Sequence, residues 1–136
     1  MSRKNLRLLI AVSVLFIFGI TSAFAQPLKF ESHTKYTLYI GLNDGNTGKP
    51  TFDLNDAGKV FRNIAGKFVD GYTLYHAEGF WHEGDKTFGE KTLVCVIVDA
   101  DEESVKRLMN EALKIFRQSS ILIEKGKTES TFYSGE

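Results

Sequence analysis

The stretch KTLVCVIV-DADEESVKRLMNEALKIFR, residues 91–117, decides the fold. Its first eight residues are apolar at Leu93, Val94, Cys95, Val96, Ile97 and Val98, so both faces of an extended chain would be apolar. That pattern predicts a strand in the interior of a sheet. The period then changes. Val105, Leu108, Met109, Ala112, Leu113 and Phe116 recur at the i, i+3, i+4 spacing of one buried helix face. Asp99 or Asp101 caps that helix. Glu102 and Glu103 fall in its first turn and Lys114 and Arg117 near its end, the signs a helix dipole favours.

Working toward the N-terminus, EGDK at 83–86 reads as a hairpin connection. Tyr72 to Trp81 is β-rich and aromatic, with Gly79 a bulge position. Asp70-Gly71 is a turn. A second amphipathic helix, capped by Asp53, carries Ala57, Val60, Phe61, Ile64, Ala65 and Phe68 on one face. Gly41 to Pro50 holds three glycines, two asparagines and a proline and is a loop. Lys35 to Leu42 (KYTLYIGL) is a strand. Toward the C-terminus, Ser120–Glu124 (SILIE) is a short strand, Gly126 a turn and Thr128–Tyr133 an extra terminal strand. The order β-α-β-β-α-β predicts an α+β, ferredoxin-like split β-α-β arrangement, an antiparallel sheet with two helices on one face. The other face would show Tyr, Thr and His side chains or be covered by another subunit.

Composition narrows the classes of function. The 136 residues are 43% hydrophobic, with two prolines, which excludes a disordered chain. The first 25 residues read as an export signal. Arg3, Lys4 and Arg7 precede an apolar run from Leu8 to Ile20, and Ala23-Phe24-Ala25 offers the cleavage pattern. Cleavage after Ala25 would leave residues 26–136, a short polar lead at 26–34 and a single α+β domain at 35–136. The overall charge of zero, from 17 basic and 17 acidic residues, then becomes mildly acidic, because the leader takes three basic residues and no acid. Such a chain has no polybasic handle for nucleic acid or, after cleavage, for a membrane. The lone Cys95 lies inside the apolar strand and reads as an inert packing thiol.

Few residues carry chemistry. Gly45–Pro50 lacks both the first glycine and the hydroxyl of a phosphate-binding loop. Asn43, Asp44, Asn46 and Asp53 lack calcium-loop spacing and read as a solvated turn. His76 and Glu78, at i and i+2 of one strand, and His82 beyond them could hold a metal weakly, though no third ligand is evident. No Ser-His-Asp arrangement is placed by spacing, so no catalytic residue is assigned, and no cofactor is implied. Aromatic density is what stands out. Tyr72, Tyr75, Phe80, Trp81 and Phe88 fall within 17 residues, with His76, Glu78 and Glu90 among them. A lone Trp beside a charged turn is either a core lid or a binding platform. Trp81, Glu90 and Tyr75 are therefore candidate ligand-binding residues, and Gln118 and Ser120 could close the same region from the edge.

Several short motifs carry a resemblance: Tyr39-Ile40-Gly41-Leu42, Phe68-Val69-Asp70-Gly71-Tyr72-Thr73, Gly79-Phe80-Trp81, Glu90, and Gln118-Ser119-Ser120-Ile121-Leu122. In this order the chain resembles the bacterial exported family known as domain of unknown function 3574, over residues 35 to 133. That resemblance implies a fold and an exported (periplasmic or secreted) location but no established activity. Trp81, Gly84 and Glu90 also give a fainter similarity to the CutA-like divalent-ion tolerance proteins, which implies a homo-oligomer, dimer or trimer. Two functions stay open. One is a non-enzymatic module that binds a small molecule or a protein partner. The other is a small metal-binding protein or enzyme using His76, Glu78, His82 and Glu90.

Overall fold

The computed structural model describes residues 27–135. The expected signal peptide at 1–25 lies outside the described residues. Six elements follow in order: β1 (Glu31–Gly41), α1 (Leu54–Ala65), β2 (Thr73–Glu83), β3 (Lys86–Val98), α2 (Glu102–Ile115) and β4 (Leu122–Ser130). The strands form one antiparallel sheet in the order β2-β3-β1-β4, so β3 and β1 are central, and the chain has the ferredoxin-like α+β fold.

Alternation along the strands sorts the side chains between two faces. Tyr36, Leu38, Ile40, Leu93, Cys95 and Ile97 point to the helices and are buried there with Phe61, Val105, Leu108 and Phe116. Edge-to-face aromatic pairs lock this layer: Phe61 against Tyr72 at 6.0 Å and Phe52 against Phe116 at 5.6 Å between centroids. Asp53 caps α1 by accepting from the Asn55 and Asp56 amides. Asp101, not Asp99, caps α2, accepting from the Ser104 amide. Asp99 instead takes a left-handed φ of 64° to end β3, and its amide donates to the Thr34 carbonyl.

Three expectations are corrected. Glu31–Thr34, read as part of a polar lead, belongs to β1, because it pairs with Lys127–Ser130. Polar residues suffice there, since Glu31 and Ser32 are exposed and His33 and Thr34 only half-buried. Gly79 is not a bulge, as the β2–β3 register runs without a break from Thr73↔Val96 to Glu83↔Lys86. The two C-terminal strands are one. Gly126 stays extended opposite Lys35, because β1 offers a continuous edge for β4 to follow. The β2–β3 hairpin turns on Gly84 and Asp85. Gly84 has φ +60°, the conformation a type II′ turn requires at that position.

Candidate functional site

The face of the sheet away from the helices carries the site. Cross-strand partners share a face, so the register defines rows across it. One row is Tyr75–Val94–Tyr39–Leu122. Val94 is buried although no helix covers this side, flanked in its row by the two tyrosines. The next row is small: Ala77–Thr92–Gly41. Then comes Gly79–Glu90, and last Trp81–Phe88, whose rings stack at 5.6 Å and 17°. Small residues between two rows of large ones make a trough. The cleft there encloses about 730 Å³, within the range of small-molecule sites.

Glu90 is the one charged side chain set into the trough floor. Gly41 makes room for it: a Cβ at position 41 would lie 2.5 Å from both Glu90 carboxylate oxygens. The Asn43 amide donates to Glu90 Oε2 at 3.2 Å and holds the carboxylate over β1. Trp81 and Phe88 form one wall, and Tyr39 and Leu122 the other. Tyr39 donates its hydroxyl to Glu124 at 3.1 Å, and that hydrogen bond, with partial burial, raises its pKa. The phenol is thereby committed and its ring is left as a wall.

The 43–50 loop closes one end. Its Asn43↔Pro50 bridge pins the loop's base, while residues 45–50 are exposed, as a solvated turn would have them. The buried Asp44 carboxylate accepts from the Asn46 and Thr47 amides at 2.8 and 3.1 Å, and Arg117 approaches it at 3.4 Å. Those amides, then Arg117, hold its pKa below the usual carboxylate value. Gln118 ties this loop to the end of α2: its Nε2 donates to the Asn43 carbonyl at 2.6 Å and the Phe116 carbonyl at 3.1 Å. Arg117, at φ 52°, turns the chain so that Ser119 and Ser120 reach the cleft rim.

Of the residues singled out from sequence, Trp81, Glu90, Gln118 and Ser120 line this one cleft. Tyr75 shares the face but lies six residues from Trp81, about 20 Å along the strand. His76, Glu78 and His82 lie on the opposite, helix-side face. His76 and His82 are again six residues, about 20 Å, apart on β2, too far to share a metal ion with bonds near ~2 Å. Glu78 pairs with Lys91, and His82 Nδ1 lies 3.0 Å from Thr87 Oγ1. Among the described residues no group of three or more His, Cys, Asp or Glu side chains could hold a metal ion. Sequence reasoning missed Gly41, Asn43, Tyr39 and Leu122. The signal for Gly41 is its place opposite Thr92, visible only once β1 is paired with β3.

Residues 35–132 match the family model described as protein of unknown function (DUF3574). No curated protein matches the sequence. Among solved structures, a phage SAM lyase in complex with S-methyl-5′-thioadenosine is similar at a TM-score of 0.55 and 19% identity, over 84% of this chain and 100% of that one. The same enzyme's apo state gives 0.57 and 17%, over 81% and 100%. The periplasmic divalent cation tolerance protein CutA from Archaeoglobus fulgidus gives 0.43 and 9%, over 78% of this chain and 88% of that one. At these identities the likeness is one of fold.

Proposed function

The chain belongs to the DUF3574 family, described only as of unknown function, and from the cleft we propose that it is a small-molecule-binding module. The observation that carries this reading is the trough itself. Gly41, Gly79 and Thr92 keep the floor low between the Trp81–Phe88 stack and the Tyr39–Leu122 wall. A flat ring fits such a space, because aromatic walls reward stacking and bare backbone allows close approach. Trp81 is the only tryptophan in the sequence, so its emission reports the cleft directly. Flat-ring probes, S-methyl-5′-thioadenosine and phenethyl compounds among them, should alter that emission in a saturable way, and Phe88→Ala should weaken the response. Absence of saturation with every probe would refute the reading.

A second reading concerns assembly. Phe80 is 68% exposed and Trp81 44% on a hairpin that runs past both helices, so apolar surface is left on both of its faces. An assembly of two or three copies would cover it, and light scattering on the purified protein tests this. We also propose that the protein is exported, on the strength of the basic, apolar and small-residue sequence at its start. The mass of the protein recovered outside the cytoplasm should then correspond to residues 26–136.

A further inference from the structure

Resting on that reading of the cleft, we propose that its ligand is an organic cation: a molecule with a flat aromatic ring and an amine or other positively charged group a few bonds away. The charge pattern of the lining points this way. Two carboxylates, Asp44 and Glu90, line the cleft, and no Lys, Arg or His does. Asp44 is already engaged by two amides and by Arg117. Glu90 is not. Among the described residues its carboxylate accepts one hydrogen bond, from the Asn43 amide to Oε2, which leaves Oε1 and the remaining lone pairs for a donor in the cleft.

The neighbouring cations do not compete for it. Lys91 follows Glu90 in sequence, but alternation sends it to the helix-side face, where it pairs with Glu78. Arg117 lies toward Asp44 at the loop. A fixed acceptor is also what the backbone has arranged, since Gly41 leaves the carboxylate its place and the Asn43 amide fixes it there. Glu90 and Phe88 are two residues apart on one face of β3, about 7 Å along the strand. A ring stacked on the Trp81–Phe88 wall and a charge at Glu90 are therefore spanned by a two- or three-carbon linker. The aromatic walls add to the attraction for the cation itself.

Titrating the purified protein with phenethylamine, with its neutral counterpart phenethyl alcohol and with the anion 3-phenylpropionate, each read by Trp81 emission, tests the assignment. The amine should bind at least tenfold more tightly than the alcohol, and the anion more weakly still. Glu90→Gln keeps the size and the Asn43 hydrogen bond but loses the charge; it should bring the amine down to the affinity of the alcohol and leave the alcohol unchanged. Glu78→Gln, on the other face of the same hairpin, should change neither. Equal binding of amine and alcohol, preference for the anion, or an unaffected Glu90→Gln variant would overturn the cation assignment while leaving the cleft a ring-binding site. No response to any of the three would overturn the cation assignment, and no response to the other flat-ring probes either would overturn both.

Discussion

Replacing Gly41 by alanine separates the position of the Glu90 carboxylate from the stability of the fold. The added Cβ would stand 2.5 Å from both Glu90 oxygens. Ordinary contact begins near ~3.4 Å, so the carboxylate must retreat by about 0.9 Å. The Asn43 N–H···Oε2 bond, already 3.2 Å, then passes the limit of a hydrogen bond. Its loss, that of a hydrogen bond to a charged carboxylate, costs about 1.5–3 kcal/mol net, the lower end applying to a bond already 3.2 Å long. Alanine at this last residue of β1 recovers roughly 0.4–1 kcal/mol relative to glycine, by restricting the unfolded chain. The second offsets only part of the first, and no backbone strain is added, because the obstructing atoms end a flexible side chain. Gly41→Ala should therefore be about 0.5–2 kcal/mol less stable than the parent, a melting drop below ~16 °C. Its affinity for phenethylamine should nevertheless fall about tenfold, as in Glu90→Gln. Differential scanning calorimetry with the Trp81 titration measures both. A destabilisation above ~3 kcal/mol would mean that the Cβ meets something other than Glu90, and unchanged affinity would mean that the carboxylate position does not matter.

Gly58 lies inside α1, and a Cβ there meets His76 Nε2 at 3.3 Å and Arg62 Nη1 at 3.9 Å, the ends of two exposed side chains that can move aside. Gly58→Ala should stabilise the protein by up to about 1 kcal/mol, seen as a rise in the urea midpoint. Burial pushes the Cys95 thiol up from 9.0 to about 12. A raised folded value favours the neutral thiol, so its stabilisation is intact below pH 9 and is lost as pH rises toward 12, by roughly 4 kcal/mol in all. Comparing urea unfolding of the parent and Cys95→Ala at pH 8 and 11 checks this: the variant should lose less stability over that interval. Asp44 has the opposite sign. Its lowered folded pKa gives stability that is present above pH 3.8 and lost as pH falls through the folded value. Asp44→Asn should be less stable than the parent at pH 7 and approach it at acid pH, and an undiminished gap at low pH would contradict the role given to the carboxylate.

Local patterns carried much of the fold. The helix stripes around Phe61 and Leu108, the caps at Asp53 and Asp101 and the turn at Gly84 depend on neighbours a few residues away, so spacing exposes them. The hairpin turn also implies the Trp81–Phe88 pairing, because a two-residue connection sets the register of both strands, whereas the unbroken pairing of Gly79 with Glu90 contradicts the bulge expected there. Strand ends were less legible. Glu31–Thr34 and the passage through Gly126 are extended because each provides the other's hydrogen-bonding partner, a condition that neither segment's composition reveals.

By itself, then, the sequence determined the order of the elements, the apolar faces that join helices to sheet, and the aromatic hairpin with Trp81 and Glu90 in it. Tertiary structure decided what those residues do together. The pairing of β1 with β3 joins residues about fifty positions apart, and only that pairing lays bare Gly41 beside Glu90 and brings Asn43 within reach of its carboxylate. It also assigned sides, sending Glu90 to the open cleft and His76, Glu78 and His82 to the helix face. Strand alternation separates neighbours in sequence onto opposite surfaces, and only distant contacts decide which surface stays open.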